Sequence, residues 1–413
     1  MSCPPPICSP QPSCDPNNEP LASALQNFIG SFYGTVTKIC VDDQVQWVLP
    51  CNLDSGSQYV PRQPGEGLAC YFLRIYDQLH YEQLHACLNL NDKIFVNGLC
   101  FATWQEAYDY ANTLGVPIVM LVGPGVNYGD LVLAANYNSN IFIAGFGRGV
   151  SVLGTLHGQN MGTGYSVNLT ISNCTITTID THTLDATITF DGGPINLTCY
   201  GNVGVGSLIS SAFNGRYAGT INVNGDIIDI GILDSNGGLG DVSITCTRTD
   251  IGSINTHMGN MPPVGRAGNI SITGKGTIGN IDCSHDIATN ACGDVQIKGF
   301  EIGSITNGAG IAGLLHLTDC RVTGQIDKAI ASKILCQNVI FNTLAGNQDC
   351  IETLYGAGTG QITNSLFIPN GTGSAINGAG NILGFNNLMK NDVGAGINYS
   401  GTKMVEATLV TPL

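Results

Sequence analysis

Charge is what this chain has least of. Asp, Glu, Lys and Arg together make up 11% of the 413 residues, and the 15 Lys and Arg are outnumbered by 30 acidic residues, for a net charge of −15. Without clustered cations to neutralise phosphates, neither a nucleic-acid partner nor an anionic lipid surface is expected. Long apolar runs are also missing. The richest, residues 116–122, stops at Gly123-Pro124-Gly125, well short of the ~18 residues of a spanning helix, so no membrane insertion is expected. The first six residues carry neither a basic region nor an apolar stretch, so synthesis in a host cytoplasm without a signal peptide is the expectation. Only two tryptophans occur, Trp47 and Trp104, both upstream of the repeats described below, which leaves a Trp-walled sugar cleft weakly signalled. There is no C-x-x-C pair, no H-x-x-x-H pair among the seven histidines and no G-x-S-x-G elbow, so no metal and no cofactor is expected.

What the chain has in quantity is glycine, 55 residues, and cysteine, 16 residues. High glycine without a collagen period, together with low charge, indicates a folded, loop-dense, all-β protein. Eight cysteines fall in the first hundred residues: Cys3, Cys8, Cys14, Cys40, Cys51, Cys70, Cys87 and Cys100. They are read as disulfide candidates formed in an oxidising assembly compartment, with Cys283 and Cys292 closing a surface loop, while the other later cysteines are read as buried thiols.

Along the chain, residues 1–20 read as a Pro/Cys-rich tail or anchor, and 21–100 as a small α+β attachment module. That module has a short helix over 21–33, alternating strands over 35–49 and partial helix over 71–90. Trp104, Ala107, Tyr108 and Ala111 then share one helical stripe, with Thr103 as N-cap and Glu106 as its capping-box partner, which predicts a capping helix. From there short strands with glycine corners repeat at intervals of roughly 20 to 28 residues, the range of stacked repeats. Three near-copies run in succession: Val242-x-Ile244 with Ile251-Gly252-x-Ile254, Ile270-x-Ile272 with Ile278-Gly279-x-Ile281, and Val295-x-Ile297 with Ile302-Gly303-x-Ile305. Alternate residues turned inward would stack into apolar columns, and about ten coils at ~4.8 Å would give a rod of ~48 Å. Asn173, Asp319, Asn338, Asn364 and Asn386 each lie three residues before an inward apolar residue. They are expected to form a turn ladder in which each side chain bonds the next coil's backbone. Residues 402–413 form a carboxy-terminal tail.

These features, the helix near residues 101–111, the strand ending in Pro124-Gly125, the Asn140 strand ending in Gly145-Phe146-Gly147 and the coils, make residues 101–401 resemble the pectin-lyase-like superfamily, which includes viral and phage tailspike-type proteins. The resemblance implies a right-handed parallel β-helix, capped by a short helix and preceded by the Cys-rich α+β module. It implies no particular activity. The polygalacturonase-like, pectate-lyase-like and pectinesterase-like motif sets are absent, although Gly125-Val126-Asn127-Tyr128-Gly129-Asp130 resembles the first turn of the last.

Glycoside cleavage needs two carboxylates held about 5–10 Å apart. The candidates for it are Asp226 with Asp229 and Asp282 with Asp286 beside His285, with Asp191 as a further residue to test. Against each stands the simpler reading of a solvated turn carboxylate. The favoured expectation is a non-enzymatic virion component, a spike, fibre or capsid-associated protein. It would attach to other virion proteins through residues 1–100 and form a homo-oligomer, a trimer among the options, with a glycan as a candidate ligand. The alternative is a polysaccharide-degrading lyase or hydrolase of the tailspike type.

Overall fold

The computed structural model describes the backbone of residues 37–41, 44–48 and 59–60. It also describes residues 91–405 apart from 98, 115–117, 127, 134–139, 159–165, 183–191, 212–216, 238–239, 258–266, 285–292, 308–312, 329–332, 345 and 347. The tail 1–20, the helices read over 21–33 and 71–90, most of the cysteine set and residues 406–413 lie outside the described residues. The alternating stretch at 35–49 forms an antiparallel hairpin of Thr37–Val41 and Gln44–Val48. Among the described residues the chain is mostly β, a parallel β-solenoid of about nine turns with one short helix.

Two compact units divide the chain. In the first, strand Ile94–Val96 pairs antiparallel with both Leu99–Phe101 and Ile118–Val122, so residues on either side of position 100 join one sheet. The turns number about nine, where the sequence suggested about ten. Helix Trp104–Thr113 starts as the spacing predicts: the Thr103 hydroxyl accepts from Glu106 N–H at 3.2 Å and the Glu106 carboxylate accepts from Thr103 N–H at 3.3 Å. Its buried stripe is Trp104, Ala107, Tyr108 and Ala111. Ile118–Val122 then pairs in parallel with Asn140–Gly145. Buried Ser151 and Tyr128 satisfy the corner between them: Ser151 Oγ donates to the Val122 and Gly123 carbonyls at 2.9 Å, and Tyr128 donates to Gly123 at 2.7 Å.

The second unit is a stack of in-register parallel strands. Inward positions align coil upon coil; one column runs from Ile179 through Leu208, Leu233, Ile254 and Ile281 to Ile376. None of these six side chains is more than 1% exposed. β-Branched residues suit such columns because the pleat holds each against its in-register neighbours. The Ile-Gly-x-Ile phrase has a second cause in the backbone. Gly206, Gly231, Gly252, Gly279, Gly303 and Gly324 lie over one another, and a Cβ added at any of them would come within 2.0–2.5 Å of the carbonyl oxygen of the residue below. Only glycine lets the coils close to strand spacing there.

The residues read as a turn ladder all have left-handed backbones, with φ between 49° and 55°. In the second unit Asn338 Nδ2 donates to Asp319 Oδ1 at 2.9 Å, Asn364 Nδ2 to Asn338 Oδ1 at 3.3 Å and Asn386 Nδ2 to Asn364 Oδ1 at 3.3 Å. The bonds therefore run from side chain to side chain, where the sequence suggested side chain to backbone. Asn173, in the first unit, makes a local contact, its Nδ2 donating to Ser172 Oγ at 3.2 Å. Asn364→Ala removes two of the ladder bonds and puts alanine, which lacks asparagine's local hydrogen bonding, in left-handed geometry. It is expected to cost ~2 kcal/mol, against ~1 for Asn364→Gly, which keeps the backbone. The ordering of the two urea midpoints checks the ladder.

Cysteines of the second unit are core atoms. Cys199, Cys246, Cys283, Cys320, Cys336 and Cys350 are buried thiols, whereas Cys100, one of the amino-terminal candidates, is disulfide-bonded. Cys283 is thus not half of a bridge to Cys292; it turns inward, and its Sγ donates to the Thr306 carbonyl at 3.6 Å. Burial pushes the Cys350 thiol up to about 12, which keeps it protonated and unreactive.

Candidate functional site

Each coil ends its last inward position with an apolar residue, and the next residue turns outward at the corner. In-register stacking gathers those corner residues into one column: Asp180, Ile209, Asp234, Asn255, Asp282, Thr306, Asp327, Glu352 and Asn377. Five carboxylates stand in this single file. The signal in the sequence is a polar residue directly after the final Ile or Leu of a repeat, as in Leu233-Asp234, Ile281-Asp282, Ile326-Asp327 and Ile351-Glu352.

Most of the column is tied into its own turns. Asp180, Asp234, Asn255 and Asp282 each accept through Oδ1 from the backbone N–H two residues on, at 2.9–3.0 Å, the geometry of an Asx turn. Two histidines flank them. His182 Nδ1 meets Asp180 Oδ1, and His257 Nδ1 lies 2.7 Å from Ser284 Oγ, which donates to Asp282 Oδ1 at 2.5 Å. Ser284 has a single hydroxyl proton and the carboxylate is the stronger acceptor. Its proton is therefore committed to Asp282, and the imidazole donates into the hydroxyl. A serine nucleophile needs the reverse polarity, with its proton passing to histidine. Burial raises the Asp234 carboxyl above its ordinary value, with Asp180 adding to the shift against the Asn236 N–H and the His182 charge.

Asp327 and Glu352 differ from the rest. They are in-register neighbours on adjacent coils, about 4.8 Å apart at strand spacing. Asp327 Oδ1 is buried and has no hydrogen-bond partner among the described residues, whereas Glu352 accepts from the Gln325 amide. Burial, and then the Glu352 charge, raise the Asp327 carboxyl from 3.8. A raised folded-state pKa adds stability below the ordinary carboxylate pKa, and that stability is lost as pH rises through the raised value. Asp327→Asn should therefore melt above wild type near pH ~7 and converge with it below about pH 4. Equal melting of the two at both pH values would contradict the raised carboxyl.

Of the carboxylates singled out from sequence, Asp226, Asp229 and Asp282 fall among the described residues. Asp226 sits at an exposed corner and accepts from Gly201 N–H of the adjacent coil at 3.0 Å. Asp229 is a strand residue in register with Asp250. Partial burial works against the charged form of Asp250, yet bonds from Thr277 and Arg248 hold it below the ordinary carboxylate range. Asp282 serves its own turn, and Asp191, His285 and Asp286 lie outside the described residues. Among the described residues no group of three or more His, Cys, Asp or Glu side chains is placed to hold a metal ion.

The outer face of the strands that begin each coil is flat and polar. Successive coils present Asn196 with Thr198, Asn222 with Asn224, Ser243 with Thr245, Ser271 with Thr273 and Gln296 with Lys298. Asn196 Nδ2 donates to Asn168 Oδ1 at 2.8 Å, and Asn222 Nδ2 to Asn196 Oδ1 at 2.9 Å. The N-x-T pattern at Asn168 and Asn196 thus reports two outward positions on one strand, with the amides engaged between coils.

No family model, curated protein or solved structure matches this chain. Its function therefore has to be read from its own geometry.

Proposed function

We propose that this chain is a non-enzymatic structural scaffold, a right-handed parallel β-helix of the pectin-lyase-like kind. Its role would be that of a spike, fibre or capsid-associated component of a virion, attached through residues 1–100. The observation that carries the non-catalytic part of the reading is where the polar side chains go. The Asn338, Asn364 and Asn386 ladder, the Asn168–Asn222 amides and the Asp226 and Asp250 carboxylates all bond across coils, so groups that could do chemistry hold the stack together instead. Leu383 and Phe385 (each 43% exposed) and Met404 (70%) lie on the last two paired strands, Ile376–Met389 and Ile397–Val405. Apolar side chains exposed together favour association with a second copy. Light scattering under non-reducing conditions tests this. A stable homo-oligomer that Phe385→Glu dissociates is expected; a wild-type monomer at tens of micromolar would contradict the assembly.

A second reading, polysaccharide cleavage, is favoured by one observation, the Asp327 and Glu352 pair. A carboxylic acid with a raised pKa on the coil next to a carboxylate is the kind of pair that a glycosidase uses as acid and base or nucleophile. That reading requires product release from a polysaccharide that Glu352→Gln abolishes.

A further inference from the structure

An asparagine followed by glycine can modify itself, because the backbone nitrogen of a residue with no side chain is free to approach the asparagine amide carbon. Four such pairs have both residues described: Asn224-Gly225, Asn236-Gly237, Asn370-Gly371 and Asn377-Gly378. Three are held against that reaction. Asn224 and Gly225 lie inside strand Ile221–Asp234, paired with a coil on either side. Gly237 N–H donates to the His257 carbonyl at 3.4 Å. Asn377 is clamped at both ends of its amide: Oδ1 accepts from Gly378 N–H at 2.9 Å, and Nδ2 donates to Asp349 Oδ2 at 2.8 Å. Asn370 differs. It opens the turn between strands Leu366–Ile368 and Ile376–Met389, and its carbonyl accepts from Gly373 N–H at 3.1 Å. Gly371 has a φ of 59°, so the turn itself favours a residue without a Cβ there. Among the described residues neither the Asn370 side-chain amide nor Gly371 N–H has a hydrogen-bond partner, and Gly371 and Thr372 are exposed.

From these observations we infer that Asn370 is a self-modification site, at which the side-chain amide is lost as ammonia and a carboxylate takes its place. The Gly371 nitrogen, having given its proton to base, attacks Asn370 Cγ and closes a succinimide ring. The Cγ–Nδ2 bond breaks, and Nδ2 takes a proton from solvent to leave as ammonia. Water then opens the ring at one carbonyl or the other, giving aspartate or isoaspartate; no oxidant or reductant is required. Both products add a negative charge. Isoaspartate also inserts an extra carbon into the backbone of a turn that is fixed at several points. Asn370 N–H donates to Thr343 Oγ1 at 2.8 Å, and Asn391 Nδ2 donates to the Gly371 and Gly373 carbonyls at 3.3 and 2.6 Å. Thr343 follows the strand that pairs with Leu366–Ile368, so the lengthened turn strains the bond between two coils. The reaction thus acts as a slow clock that loosens the carboxy-terminal coils, and it is independent of the scaffold and cleavage readings.

The test holds the full chain at mildly alkaline pH, folded or in urea, and follows the conversion of each asparagine by peptide mapping with mass spectrometry. Isoaspartate is read by enzymatic methylation of its free carboxylate. In urea the four pairs should convert at comparable rates, because the fold no longer distinguishes them. In the folded protein Asn370 should lead Asn224, Asn236 and Asn377, which wait for local opening, by about tenfold or more. Asn370→Gln, whose longer side chain closes a ring far more slowly, should abolish isoaspartate in that peptide. After ageing it should also melt above wild type aged alongside it. If any of the other three keeps pace with Asn370 in the folded protein, the site is overturned; identical melts of the two aged proteins, with Asn370 converted in wild type, would overturn the loosening.

Discussion

Gly279→Val is expected to unfold the second unit or destabilise it by at least ~3 kcal/mol, the range reached only when backbone and core are both disturbed. Gly279 lies in the glycine column, and an added Cβ would sit 2.0 Å from the Gly252 carbonyl oxygen and 3.1 Å from its carbon. Both are backbone atoms, so no side-chain rotation relieves the contact and the two coils must separate. Separation would break the hydrogen bonds that join Val242–Asn255 to Ile270–Asp282 and open the apolar columns beside them. Gly279→Ala should show the same defect, because the clash begins at Cβ. Thr273→Val, on the exposed outer face of the same strand, should change stability by less than ~0.5 kcal/mol. Urea unfolding followed by circular dichroism separates these outcomes; a near-native Gly279→Val would mean that the coils do not stack at the described spacing.

Phe341→Ala is expected to cost ~4 kcal/mol, within the range for removing a buried aromatic ring. Phe341 and Phe367 occupy a column that earlier coils fill with Val205, Ile230, Ile251, Ile278, Ile302 and Val322. Their rings stack with centroids 4.6 Å apart and planes 14° apart, and neither residue is more than 1% exposed. Truncation leaves a void that a stack of rigid coils cannot collapse to fill, and it removes a ring pair worth about 1 kcal/mol beyond its area. Phe341→Leu refills most of the volume and should recover at least half the loss. Thermal melts of the three proteins test the ordering. Because stacked repeats can unfold in segments, a defect confined to the carboxy-terminal coils is the form the loss should take.

How far the sequence alone reaches differs between core and corner. The inward columns were legible because strand alternation has period two and three consecutive repeats keep the same phrase, so Ile254, Ile281 and Ile305 could be aligned by eye. The helix from Trp104 was legible through its capping box. The ladder positions at Asn338, Asn364 and Asn386 were legible because asparagine tolerates left-handed backbone, but their bonding partners depend on side-chain torsions that spacing does not encode. The Asp327 and Glu352 pair was not legible. Coil lengths vary, so residues 25 apart in the chain and others 21 apart both end in register, and only the stacked backbone shows which corners face each other. Distance in sequence also misled for Cys283 and Cys292, where closeness along the chain suggested a pairing. Cys283 turns into the core because it directly follows an outward corner residue, Asp282.

The scaffold reading and the cleavage reading part on one measurement. The purified full chain is incubated with a panel of neutral and acidic polysaccharides between about pH 4 and pH 8, the span over which a raised carboxyl would titrate, and new reducing ends and unsaturated products are followed for wild type, Asp327→Asn and Glu352→Gln. The account predicts no product above buffer from any polymer with any of the three proteins. Reproducible product from wild type that disappears in Glu352→Gln, with its fold intact, would contradict it and establish the corner column as an active site.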